Sequence, residues 1–342
     1  MSLTSVLTDP TSAMSCFLAE HLPFTEKVVA DLRTRLKNWP APVVPDAGAG
    51  RRPEYPMLGH TIDHRLRISL GAPTGGPIQE GVVRTVIDDA GWPSPEIIGT
   101  VMAAGTALLK ELERFEDEAG QPLALEAEAE ERLIRLCHLA SHFETIFRCG
   151  GWVRGNRLGL CSPGADLDDL AAMVPDYVVA DIRCQMALAA EPGPFSRLRE
   201  LPAQLRVCGP AFDGSTDVGG ADADFILDGK LIDCKATIRP GRLGQAEIYQ
   251  LVGYLLLDYS NAYAINGVGL YLSRQGALID WSVEDFLGLL GARLDLETLR
   301  AACRYALTGG AEGDPPPAGG QRDLLPPPRT RPAVQETLFD AE

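Results

Sequence analysis

Apolar residues recur with a helical period through most of the first 200 residues, then change to short alternating or continuous runs after residue 204. The segment FTEKVVADLRTRLKNW (24–39) reads as an amphipathic helix, followed by the Pro/Gly-rich loop PAPVVPDAGAGRRPEYP. Helical periodicity returns at 78–91, 95–117, 124–148 and 166–190. Ser94-Pro95 offers an N-cap and a first-turn proline, Pro122 lies near another helix start, and Gly150-Gly151 follows a helix end. Beyond 204, LRVCGPAF reads as a strand and Asp228-Gly229 as a hairpin turn between Phe225-Ile226-Leu227 and Leu231-Ile232. QAEIYQLVGYLLLDY then reads as a helix. VGLYLSR and ALIDWS form a second hairpin around Gln275-Gly276, and a helical segment over 283–307 closes the patterned part. The expected class is α/β: a mainly helical region over 1–200, inserted into or preceding a mixed core over 201–308, and a Pro/Gly-rich tail over 309–342.

The first hairpin has a geometry that can be worked out by counting. A two-residue loop pairs 227 with 230, 226 with 231 and 225 with 232, and so sets Asp224 opposite Asp233. Carboxylates directly across one face have Cβ atoms about 4.5–5.5 Å apart and repel each other. A hard divalent cation held by oxygen ligands converts that repulsion into binding. Alternation returns Lys235 to the face of Asp233 and sends Cys234 to the other. Asp222 falls across from Lys235 in the same register, where it is expected to steady the ammonium. Apolar positions on both faces near the turn predict a central sheet element covered on each side.

Asp224 followed by an apolar strand and then Asp233-Cys234-Lys235 resembles motifs II and III of the PD-(D/E)XK nuclease superfamily. Downstream, Gln250 and Tyr254 match the QxxxY signature of its RecB-like exonuclease branch, and their i, i+4 spacing puts both on one helix face. The resemblance covers about residues 204–300 and implies a restriction-endonuclease-like mixed sheet acting on DNA phosphodiester bonds. It further implies Mg2+ or Mn2+ held by Asp224, Asp233 and the carbonyl of Cys234. Lys235 would position a water or stabilise the developing oxyanion, while Gln250 and Tyr254 support the site. A further acidic residue is expected on a helix ahead of the sheet, and two candidates stand open. Glu144 lies in LASHFETIFRCGG. Asp63 lies in MLGHTIDHRLR, which resembles the G-x-x-x-H-x-x-L-E helix of RecB-type enzymes but has Asp63 at the His position, with His64 beside it, and Arg67 at the Glu position. If that helix is the relevant one, residues 70–200 are an insertion in the core.

A formal net charge of −16 opposes nucleic-acid binding, which depends on neutralising phosphates. The local balance is different: over 230–250, Lys230, Lys235, Arg239 and Arg242 exceed Asp233 and Glu247 by two. Much of the acidity sits in ELERFEDEAG, EAEAEER and ADLDDL. No apolar run approaches the roughly 20 residues that span a bilayer, and the N-terminus lacks a basic region followed by a continuous apolar one, so no membrane association is expected. Eight cysteines without a C-x-x-C pair fit a reducing compartment, and a cytoplasmic location is expected. Some RecB-type relatives carry an iron–sulfur cluster, but only Cys303 follows the hairpin and helix, so none is expected here.

Residues 309–334 are too rich in Pro and Gly to pack and read as a semi-extended linker. They end in Gln335-Glu336-Thr337-Leu338-Phe339, which resembles the QxxLF peptide by which bacterial repair and replication proteins bind the sliding clamp. Gln335, Leu338 and Phe339 are the residues this resemblance assigns to such a partner.

Overall fold

The computed structural model describes residues 2–72, 75–87, 91–115 and 120–309. Three short helices, α1 (Leu3–Thr8), α2 (Ala13–His21) and α3 (Thr25–Leu36), come first. A second set follows: α4 (Tyr55–Ser69), α5 (Gly75–Ile87), α6 (Pro95–Leu112), α7 (Ala127–Cys149), α8 (Leu167–Ala172), α9 (Asp176–Ala190) and α10 (Pro194–Arg199). Strands β1 (Arg206–Cys208), β2 (Phe225–Leu227) and β3 (Lys230–Lys235) precede α11 (Gln245–Leu257). The chain then forms β4 (Gly267–Leu272), β5 (Ala277–Ser282), α12 (Val283–Leu290) and α13 (Leu296–Thr308).

The five strands lie in chain order in one mixed α/β sheet. β1, β2 and β3 form an antiparallel meander, β4 runs parallel to β3, and β5 returns antiparallel to β4. A parallel neighbour needs a crossover, and α11 supplies it. Phe225 pairs with Ile232, Ile226 with Leu231 and Leu227 with Lys230, as the two-residue loop requires. Asp228 and Gly229 have φ of 52° and 73°, the paired left-handed conformation of a type I′ turn. A Cβ on Gly229 would also lie 2.5 Å from the Asn266 side chain, so glycine is needed there for space as well as for φ.

Both faces of the sheet are covered. Phe225, Leu227, Ile232 and Tyr271 pack into a core built with α4–α10. Ile226, Leu231, Val268, Leu270, Leu272, Ile279 and Trp281 face a second core shared with α1–α3 and α11–α13. Residues 3–36 therefore pack with the strands and the later helices, although they precede the long helical stretch. The period-two division of β2, β3 and β4 between the two cores is the alternation expected of a strand buried on each side.

Three expected boundaries are corrected. The continuous helix over 166–190 is two, α8 and α9, because Pro175 disfavours helical backbone at Val174 before it and begins a new helix at Asp176. The terminal segment 283–307 is also two helices: Gly291 ends α12 at φ 82°, and the Asp295 side chain caps α13 by accepting from the Thr298 amide. The first strand is only Arg206–Cys208, because Gly209 turns the chain at φ 62° and Pro210 cannot donate to a ladder.

Candidate active site

The site lies where β2 begins and β3 ends. The β2–β3 pairing ends at Phe225–Ile232, and Asp224 and Asp233 are the next residues on the two sides, close enough for the Asp233 charge to act on Asp224. The ladder stops there, and the Asp224 side chain takes over from it: the Cys234 amide donates to Asp224 Oδ2 at 2.6 Å. Amide and carbonyl of one strand residue point to the same edge, so the Cys234 carbonyl also faces the side on which Asp224 lies. The Cys234 thiol leans on the opposite core, as alternation predicts.

Lys235 projects from the face of Asp233 and its ammonium stands 2.7 Å from Asp233 Oδ2. The same ammonium donates to Gln250 Oε1 at 2.9 Å, and Gln250 Nε2 donates to the Tyr254 hydroxyl at 2.9 Å. Gln250 and Tyr254 are one turn apart on α11, which packs against this face of the sheet. Tyr254 is buried and lies 5.9 Å from the Phe212 ring. A chain of four polar groups thus runs from Asp233 through Lys235 and the Gln250 amide to Tyr254. Asp222 is exposed in an isolated bridge with Ala211. The expectation that it steadies Lys235 is corrected, since Asp233 and Gln250 hold the ammonium.

The two candidates for the further acidic residue sit in different surroundings. Glu144, on α7, is buried against α4, with Oε2 2.9 Å from His64 Nε2 and 3.9 Å from His60 Nδ1 and with Oε1 2.6 Å from the Arg148 guanidinium. Burial alone would raise its pKa, but His64, Arg148 and His60 outweigh that and hold the carboxyl well below its usual range. Asp63, one turn after His60 on α4, stands with Asp224 and Asp233: its charge raises the pKa of both. Its Oδ2 accepts from Arg67 Nε at 2.7 Å, while Oδ1 is buried without a hydrogen-bond partner. Asp63 is therefore the acidic group the fold brings to the hairpin, and Glu144 belongs to an ion-pair cluster behind it.

Arg67 reaches from Asp63 to Asp224, with Nη2 3.5 Å from Asp224 Oδ1 and the guanidinium 5.8 Å from the Phe225 ring centroid. Burial would lower its pKa, but Asp63 and Asp224 more than reverse that. Gly209 leaves room for it: a Cβ there would stand 2.6 Å from Arg67 Nη1. Gly209 also donates its amide to the Asp224 carbonyl at 2.9 Å. Gly209→Ala is expected to destabilise the fold by about 1–2 kcal/mol, from the left-handed backbone and the displaced guanidinium together. Urea denaturation checks this, and an unchanged midpoint would contradict the tight fit around Arg67.

Burial pushes the Asp224 carboxyl well above its usual range, and the charges of Asp63 and Asp233 add to the effect against Arg67 and the Cys234 amide. Asp233 is raised for the same primary reason, with Lys235 opposing. Lys235, despite burial, is raised by Asp233 and Asp224 and stays charged. A carboxyl raised on folding contributes stability below its unfolded pKa and loses it as pH rises through the folded one. Asp224→Asn keeps the shape and the acceptor for the Cys234 amide, so without divalent ions it should melt higher than wild type at pH 7.5. Asp224 keeps about a quarter of its side-chain exposure, so the gain is about 1 kcal/mol, or roughly 2–4 °C. The difference should shrink toward pH 4, and a lower melting point at pH 7.5 would overturn the electrostatic account.

Among the described residues, no three His, Cys, Asp or Glu side chains are already arranged as a metal cage. The donor chemistry nevertheless fits a hard divalent ion: carboxylates of Asp224, Asp233 and Asp63, one Asp63 oxygen without a hydrogen-bond partner, and a backbone carbonyl, in a corner where three carboxylates outnumber the two cations Arg67 and Lys235. Asp224 and Lys235 each keep about 23% of their side-chain exposure, so the corner is reachable from solvent. The cysteines are free thiols, spread over buried, intermediate and exposed positions. Among the described residues no helix is long and apolar enough to cross a membrane. Gln335, Leu338 and Phe339 lie outside the described residues. Arg67 and Gly209 were not assigned to this corner from the sequence; Gly209-Pro210 directly after an apolar run is the signal that could have marked the turn, but nothing local marks the guanidinium beside it. No protein-family model, no curated protein and no solved structure matches this chain.

Proposed function

We propose that the protein is a metal-dependent DNA nuclease of the PD-(D/E)XK class, RecB-like branch. The observation that carries this reading is the joining of Asp224, Asp233, Lys235, Gln250 and Tyr254 into one contiguous polar corner at the end of a buried sheet. The strand–strand–strand–helix–strand order, with β3 and β4 parallel, supports it further. Asp224, Asp233 and the Cys234 carbonyl would hold the ion, with Asp63 the further acidic group. When bound, Mg2+ or Mn2+ supplies Lewis-acid chemistry, lowering the pKa of the attacking water and offsetting charge on the phosphate. Lys235 holds a fixed positive charge where negative charge develops on the phosphoryl oxygens. Gln250 accepts from that ammonium and so fixes its direction, and Tyr254 fixes the Gln250 amide in turn. Arg239 and Arg242, exposed after β3, would meet the flanking backbone phosphates.

With a net charge of −16, intrinsic affinity for DNA is weak, and a tether such as the sliding clamp, engaged through Gln335, Leu338 and Phe339, would raise local concentration to roughly the millimolar range. DNA repair, recombination or phage defence are the settings this implies. One observation favours a second reading, a nuclease-fold adaptor without activity: Arg67 and Lys235 already occupy the carboxylates as ion-pair partners. Incubating the purified protein with labelled linear, circular and single-stranded DNA, with Mn2+ or with EDTA, separates the two. Mn2+-dependent hydrolysis of at least one form is expected, and no cleavage of any form leaves the adaptor.

A further inference from the structure

Arg67 is the one element of this corner that a divalent-ion site does not call for. It lies between two of the acidic groups, in a slot bounded by the Phe225 ring and by the backbone of Gly209, where no side chain would fit. A guanidinium is planar, always charged and forked, so it can bridge two carboxylates at once. Here the fork engages Asp63 at 2.7 Å and Asp224 at 3.5 Å. The longer contact is the weaker, and it is made to the oxygen of Asp224 that the Cys234 amide leaves free. A cation arriving from solvent would need that same oxygen. The competition is therefore local: Asp224 Oδ1 serves either the guanidinium or the incoming ion, and Asp63 anchors Arg67 in both cases.

We propose that Arg67 is a built-in counter-ion that competes with the divalent metal for Asp224 and so sets a weak metal affinity in this protein. It keeps the carboxylate corner folded without an ion and lets the site load only at high divalent concentration. This inference rests on the nuclease reading for the identity of the ion, and its test does not depend on cleavage. Two unit charges about 4 Å apart at a protein surface interact strongly enough that removing the competing one should tighten metal binding by about tenfold or more.

The experiment is Mn2+ titration by isothermal calorimetry, with Mn2+ electron paramagnetic resonance as a second readout, on full-length wild type, Arg67→Gln, Arg67→Lys and Asp233→Asn. Arg67→Gln should bind Mn2+ about tenfold more tightly than wild type, and its melting temperature should rise more on adding Mn2+. Arg67→Lys keeps one charge but not the fork, so it should fall between the two; it also serves as the deciding variant if Arg67→Gln does not fold. Unchanged or weaker Mn2+ binding in the Arg67 variants, with wild-type binding lost in Asp233→Asn, overturns the competition and leaves the metal site standing. Absence of Mn2+ binding in wild type and Arg67 variants alike removes both.

Discussion

Asp233→Asn and Lys235→Met are each expected to lower Mn2+-dependent DNA cleavage by roughly 10²–10³-fold or more, the scale of removing one preorganised charge from a developing oxyanion. The two act through different atoms. Asp233 is the buried carboxylate whose repulsion by Asp224 and Asp63 an ion would relieve, so its loss should appear in Mn2+ affinity as well as in rate. Lys235 carries no metal; its loss should lower the rate at saturating Mn2+ while leaving Mn2+ binding within a few-fold of wild type. Neither substitution should unfold the protein. Asn removes a charge that burial disfavours, and Met keeps the Lys235 stem over the face it covers. Gln250→Ala leaves the ammonium charged but undirected, and its loss should be smaller, about tenfold. Single-turnover cleavage on labelled DNA, with circular dichroism melts of each variant, provides the comparison. Wild-type rates in both Asp233→Asn and Lys235→Met would remove these residues from the chemistry.

The hairpin register, the polar chain on α11 and the α/β class were legible in the sequence because each is fixed locally. A two-residue Asp-Gly loop allows one register, and strand alternation and helical spacing then place Asp233, Lys235, Gln250 and Tyr254 without knowledge of the rest. The choice between Asp63 and Glu144 was not legible. Both lie on helices next to histidines, and only the packing of α4 beside the start of β2 decides which carboxylate reaches Asp224. Arg67 was visible only as a departure at a motif position; its bridging role needs the slot left by Gly209, about 140 residues away in the chain. Helix breaks at Pro175 and Gly291 were missed because apolar periodicity continues across each, while the backbone constraint that ends the helix is a single residue. Most hidden were the long-range ion pairs, since a charged residue in a polar stretch reads as surface whether or not the fold buries it.

Arg274 and Asp181 are the case with the largest consequence for stability. Both side chains are fully buried, and Arg274 Nη1 and Nη2 meet Asp181 Oδ1 and Oδ2 at 2.5 and 2.9 Å. Arg274 also donates to the carbonyl of Ala236 at 2.7 Å and to that of Val43 at 3.2 Å. Asp181 accepts in addition from Gln185, whose other amide atom accepts from Ser273 at 2.7 Å. The pair thus ties α9 to the β4–β5 turn and to the residue directly after Lys235. Asp181→Ala leaves a guanidinium without its counter-charge in the interior, and a loss of about 3–5 kcal/mol is expected. Arg274→Met should cost about as much, because it strands the Asp181 carboxylate and frees the Ala236 carbonyl. The double variant Asp181→Leu/Arg274→Met should recover much of the loss, since replacing both partners by apolar groups removes the uncompensated charge. Urea denaturation of the three variants provides the comparison, and the double variant should lose much less than the two single variants together. Losses below about 1 kcal/mol in each single variant would mean that water reaches the pair and that the α9 contact does not hold this end of the sheet. If the clamp does hold it, Arg274→Met should also slow cleavage more than its stability loss explains, because the backbone that sets the direction of Lys235 would be free to move.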